Sequence, residues 1–92
     1  MTPANDLVPP RIIKILREHF STDAIVDVSR SGVRDNLHVL VVSGALDKMT
    51  EKQKQEHLWG LLEDAVEKGL LTQDDLGRIS LVLPVSVEEL RR

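Results

Sequence analysis

Apolar and polar positions alternate along this chain with two periods, and each period marks an element. Ile12, Ile13, Leu16 and Phe20 recur at helical spacing while Lys14, Arg17 and Glu18 take the other side, which predicts a helix over 11–20. Pro10 suits its first position, because proline has no N–H to leave unpaired there and its φ is already helical. Ser21-Thr22-Asp23 interrupts the pattern. Residues 24–29, Ala-Ile-Val-Asp-Val-Ser, are dominated by β-branched side chains and predict a strand. Ser31, Gly32, Asp35 and Asn36 supply turn chemistry over 30–36. Leu37 to Ser43, Leu-His-Val-Leu-Val-Val-Ser, is the strongest strand of the chain. Two strands with a short polar link predict a β-hairpin.

The second half returns to the helical period. Thr50 stands three residues before Gln53, the spacing of a capping box, and opens a helix expected over 51–68. Leu58, Leu61, Leu62, Ala65 and Val66 form its apolar stripe. Gly69 is a natural stop. Thr72 suits the cap of one further turn that Gly77 breaks. Residues 78–83, Arg-Ile-Ser-Leu-Val-Leu, predict a third strand that Pro84 ends. Ser86 caps a closing turn over 86–90. The order α-β-β-α-(α)-β predicts a small α/β sandwich, with helices on one face of a three-stranded sheet. The helical crossover makes the third strand parallel to the second. A core is expected to contain Ile12, Leu16, Phe20, Val39, Val41, Leu58, Leu62 and Ala65. Residues 1–9 read as a flexible tail and 10–92 as one domain.

Composition narrows the function. The 92 residues carry 12 basic and 15 acidic side chains, a formal charge of −3, and no cysteine. One domain is the prior at this length. The missing thiol excludes a disulfide framework, a cysteine nucleophile and a zinc–thiolate site from this chain alone. Phe20 and Trp59 are the aromatic residues, too few for the stacking surfaces of single-strand nucleic-acid binders. No apolar run reaches membrane-span length. The N-terminus reads as no signal peptide, so an intracellular, cytoplasmic protein is expected.

No catalytic motif emerges. His19, His38 and His57 are not spaced as metal ligands on one helix face. His19 fits a helix C-terminus, His38 points by alternation to the open face of the sheet, and His57 flanks the apolar stripe. The glycines form no phosphate loop and no nucleophile elbow. The carboxylate pairs read as solvated surface, since acid–base work needs a pocket that separates their pKa values. The chain is read as no enzyme. A local basic patch is the remaining chemistry. Arg30 and Arg34 lie in the hairpin loop, and Lys48, Lys52 and Lys54 surround the start of the long helix, where a helix N-terminus favours phosphate. Glu51 and Glu56 interleave with those lysines.

The run Asn36-Leu37-His38-Val39-Leu40-Val41-Val42-Ser43, followed by Gly44-Ala45-Leu46-Asp47, resembles the second strand and connection of BolA-family proteins. Gln53-Lys54-Gln55-Glu56-His57-Leu58 stands where that family has a Gln-Arg-His-Arg-Leu-Val type segment. Ile79-Ser80-Leu81 and Ser86-Val87-Glu88-Glu89-Leu90 resemble its third strand and closing turn. The resemblance covers residues 11–90. It implies an α-β-β-α-β fold similar to a type II KH domain, partnership with a monothiol glutaredoxin around a shared [2Fe–2S] cluster, DNA binding in transcriptional control, and no catalysis. The departures are specific. The family's ligand histidine falls on Gln55, and an amide is a poor ligand for cluster iron. His57, two residues on, points about 200° away around the helix, which leaves it only a fallback ligand. Residues 30–36 hold neither His nor Cys. The basic pair beside the family's histidine becomes Lys54 and Glu56, and its closing tryptophan becomes Leu90. Two readings follow: a protein-interaction partner of a glutaredoxin-like protein that binds no cofactor alone and supplies no histidine, or a nucleic-acid-binding module using Arg30, Arg34, Lys48, Lys52 and Lys54. The acidic balance favours the first.

Overall fold

The first helix begins by accounting for each of its unpaired N–H groups. In the computed structural model, which describes residues 6–21 and 23–91, α1 spans Val8–His19. The Val8 N–H donates to Asp6 Oδ1 at 3.2 Å. Pro9 and Pro10 have no N–H to satisfy, and the Arg11 N–H already reaches the Leu7 carbonyl at 3.2 Å. The helix therefore starts two residues before Pro10, and Val8 is buried in the core. The helix thus takes in Val8 and Pro9 of the tail expected over 1–9; residues 1–5 of that tail lie outside the described residues. Phe20, expected in the helix, is its C-cap.

A mixed sheet of order β1-β2-β3 lies beneath the helices. Strand β1 spans Ile25–Arg30 and pairs antiparallel with β2, Leu37–Ser43, as the hairpin pattern predicted. A 3-10 turn over Gly44–Leu46 leads to α2, Glu51–Glu67. Thr50 and Gln53 form the expected capping box, with the Thr50 N–H on Gln53 Oε1 at 2.9 Å and the Gln53 N–H on Thr50 Oγ1 at 3.1 Å. Gly69, at φ 79°, ends the turn that follows α2, and the Leu70 N–H reaches back to the Ala65 carbonyl at 2.9 Å. The short α3, Gln73–Gly77, is boxed in the same way by Thr72 and Asp75. Strand β3, Ile79–Ser86, runs parallel to β2. Helix α4, Val87–Leu90, closes the described chain under a third box from Ser86 and Glu89.

Pro84 does not end β3, which continues to Ser86 with Pro84 paired opposite Val41. The cause is a register shift between Leu37 and His38: Leu37 faces Ile79, but His38 faces Leu81. The skipped residue, Ser80, inverts the direction of the backbone groups that follow. Beyond it, Val82 and Pro84 turn their backbone polar groups to the free edge of the sheet, where a missing N–H costs no ladder bond. The same shift leaves Ser80 and Leu81 both exposed between buried Ile79 and Val82.

All eight core positions expected from periodicity are buried, together with Val8, Val26, Leu37, Leu46, Leu71, Ile79 and Val82. Val26, Val39, Val41 and Val82 lie on the face under the helices, while among the described residues no helix covers the opposite side of the sheet. Among the described residues no helix is long and apolar enough to cross a membrane.

Candidate interaction site at the start of the long helix

Lys54 defines this region, and it is not the surface cation the local charge pattern suggests. Its side chain is only 2% exposed. It stands one turn before Leu58 on the stripe that continues through Leu62 and Ala65, so its stem packs as part of the core-facing row. Its ammonium donates to Glu51 Oε1 at 2.7 Å and to Glu89 of α4. The two carboxylates raise the Lys54 pKa above its ordinary value. Lys54, with help from the Ser86 N–H at 2.9 Å, holds the Glu89 carboxyl down at about 2.

The same closing turn is bound a second time. The Lys48 N–H donates to Glu88 Oε1 at 3.1 Å, and the Glu88 N–H donates to Asp47 Oδ1 at 3.2 Å. Lys48 adopts φ 68° to make this turn, a left-handed conformation that costs a side-chain-bearing residue roughly 1–2 kcal/mol. Lys48→Gly is therefore expected to leave thermal stability unchanged or raise it by up to about 1 kcal/mol, the gain being offset by the freer unfolded chain. Lys48→Val is expected to lower it. Calorimetric midpoints of the two variants check the order.

Gln55 sits one residue further along α2, half-buried. Its side-chain Nε2 donates to the Val82 carbonyl at 2.8 Å. That carbonyl is one of the β3 groups turned to the free edge by the Ser80 shift, so Gln55 supplies the partner that a fourth strand would otherwise provide. His57 lies on another flank of the helix. Its ring is 5.4 Å from that of His19 and 6.0 Å from that of Phe20, centroid to centroid, against the end of α1.

Of the remaining basic positions, Lys48 and Lys52 lie at this end of the fold and Arg30 and Arg34 do not. Arg30, expected in the hairpin loop, is the last residue of β1 and Arg34 follows it, at the end of the sheet where β2 begins, whereas Lys48 and Lys52 follow the end of β2. The seven residues of β2 separate the two groups by about 20 Å. Arg30 is also engaged, donating to Asp6 Oδ2 at 3.2 Å. Arg34, Lys48 and Lys52 are exposed. Of the proposed basic patch, then, Lys54 is neutralised inside the fold, Arg30 is paired, and the others are divided between opposite ends. Arg11, Lys14 and Arg17 lie three residues apart along the exposed side of α1. This basic stripe is not among the residues expected to bind, although its spacing alone places it on one helix face.

Asp6 is a second centre missed in the sequence. It accepts two bonds from Arg78, from Nη1 at 3.0 Å and Nη2 at 2.8 Å, besides those from Arg30 and the Val8 N–H. Arg78 Nε donates to the Asp35 carbonyl at 2.8 Å, tying the hairpin loop to the same cluster. The Arg78 guanidinium lowers the Asp6 pKa to about 2, and Asp6 in turn raises that of Arg78.

The donor set around Gln55 does not fit a cluster ligand. Its amide nitrogen is committed to Val82, the loop over 31–36 offers neither thiolate nor imidazole, and among the described residues no three His, Cys, Asp or Glu side chains converge as a metal site. Comparison with protein-family models, with curated proteins and with solved structures found no match to this chain.

Proposed function

We propose that this chain is a non-catalytic interaction domain of the BolA type, similar in fold to a type II KH domain, which docks a monothiol glutaredoxin-like protein without supplying a histidine to a shared [2Fe–2S] cluster. The observation that carries the reading is the Gln55–Val82 hydrogen bond. At the position where the resemblance puts a ligand, the side chain serves the sheet edge instead, and Glu51, Lys54 and Glu89 beside it are paired with one another. The element order and the parallel third strand agree with the resemblance. The nucleic-acid reading loses support because its basic residues are paired or separated.

The test is titration with a cluster-loaded monothiol glutaredoxin. The wild type is expected to co-elute with it while leaving the visible circular dichroism of the cluster unchanged. Gln55→His is expected to shift that spectrum or strengthen association, at a cost of about 1 kcal/mol in stability for the lost bond to Val82. His57→Ala is expected to do neither, since its ring packs against α1. Absence of co-elution together with salt-sensitive DNA binding would favour the other reading. A wild-type spectral change abolished by His57→Ala would move the ligand role to His57.

A further inference from the structure

The side of the sheet that carries no helix presents a grid of side chains whose rows follow from the strand registers. Ile25, Val42 and Val85 form one outer row; Asp27, Leu40 and Leu83 form the middle row; Ser29, His38 and Leu81 form the other outer row. Ile25 is 54% exposed, Leu83 45% and Leu81 40%. Six of these positions are apolar. Asp27, on β1, is the one carboxylate and His38, on the central strand, the one imidazole. Val42 is already buried among its neighbours and Leu40 and Val85 are half-buried, so the exposed apolar groups are Ile25, Leu81 and Leu83; apolar side chains rimmed by a few polar ones have the make-up of a contact surface.

We propose that this face is covered by the same face of a second copy, in a weak two-fold dimer whose sheets cross near a right angle and in which Asp27 of each copy meets His38 of the other. The grid itself selects this arrangement. A two-fold axis along the strands would set Asp27 on Leu83. An axis across the strands would set Asp27 on Asp27. A diagonal axis through Ile25 and Leu81 would set Asp27 on Val42, His38 on Leu83 and Ser29 on Val85. Each buries a carboxylate without a counter-charge or hydrogen-bonding partner, which is costly. The other diagonal, through Ser29, Leu40 and Val85, sets Asp27 on His38, Ile25 on Leu81 and Val42 on Leu83, with the three axial residues on themselves. Apolar groups meet apolar groups, and the acid meets the imidazole. Crossed sheets are a known packing mode for such faces.

The size of the face sets the strength. Three strands and three rows cover roughly 300 Å² per copy, well under the about 800 Å² per partner of a standard stable interface. The dimer is accordingly reversible, forming at high micromolar concentration and above.

The experiment is sedimentation equilibrium of the full chain across that range, with circular dichroism of each variant to confirm folding. The average mass is expected to rise with concentration. Asp27→Lys, and separately His38→Asp, are expected to weaken association about tenfold or more. The double variant Asp27→Lys with His38→Asp is expected to restore it, because the pair is re-formed with exchanged charges. Leu83→Glu provides a second disruption at an exposed site. The chain has no cysteine, so single cysteines report geometry cleanly. With a short bismaleimide, Val85→Cys is expected to cross-link to itself across the axis, and Leu81→Cys, although more exposed, is not. A chain that stays monomeric to millimolar concentration overturns the proposal. Failure of the charge exchange to restore association, or cross-linking at Leu81 in preference to Val85, also overturns it.

Discussion

Replacing Lys54 with glutamate is expected to abolish the folded state or lower its thermal midpoint by tens of degrees. The variant would place a third carboxylate between those of Glu51 and Glu89, at a position with almost no access to solvent. Glu51 is largely exposed and can turn to solvent, but Glu89 cannot withdraw without cost. Glu89 is held by the Ser86 N–H as part of the box that starts α4, and Glu51 lies in the first turn of α2. Lys54→Ala removes the cation and leaves a void in the core-facing row, and a fall of roughly 10 °C or more is expected. Lys54→Met keeps the packed stem and loses only the charge. It is expected to be milder than alanine, and adding Glu89→Gln to it should recover part of the remaining loss, because the unpaired carboxylate is then gone. Thermal denaturation followed by circular dichroism gives the order. Equal midpoints for Lys54→Ala and the wild type would show that the ammonium is solvated and the cluster contributes nothing.

Lys54 also marks where the sequence could be read and where it could not. Elements whose signals are local were legible. Strand β2 runs over the residues its apolar pattern marks, and Thr50, Thr72 and Ser86 cap the turns they precede. Each such signal rests on neighbours within four residues. The lysines were grouped by proximity in sequence, yet Lys54 differs from Lys52 by two helical positions and so lies on another face. Its spacing of four from Leu58 was the available clue. The effect of Pro84 depends on which edge of the sheet it faces, and that is decided by the shift at Ser80, set by pairing with a strand some forty residues earlier. The commitment of Gln55 to Val82 was hidden for the same reason. At the N-terminus, an aspartate two residues ahead of Val8-Pro9-Pro10 is a readable turn signal, but its partner Arg78 is 72 residues away.

That distant pair makes Asp6 the main expected source of pH dependence near the N-terminus. Its folded pKa is about 2 against an ordinary 3.8. A carboxyl with a depressed folded pKa contributes its stability above the unfolded value and loses it as pH falls through the folded one. The contribution of Asp6 is therefore complete above pH 4–5 and mostly lost by pH 2. Its side chain is 10% exposed and its bonds to Arg78 are bidentate, so about 1–2 kcal/mol is expected at neutral pH after allowing for solvent screening. Asp6→Asn keeps the shape and one acceptor oxygen but no charge. Urea denaturation is expected to show it less stable than the wild type by that amount at pH 7, with the two curves converging as pH approaches 2. Glu89, lowered from 4.5 to about 2 by Lys54, titrates in the same window, so the wild type should lose stability steeply there while a variant with Asp6→Asn and Glu89→Gln shows a flatter profile. A stability gap between wild type and Asp6→Asn that is as large at pH 2 as at pH 7 would mean that the loss comes from helix capping of Val8 rather than from the charge on Asp6.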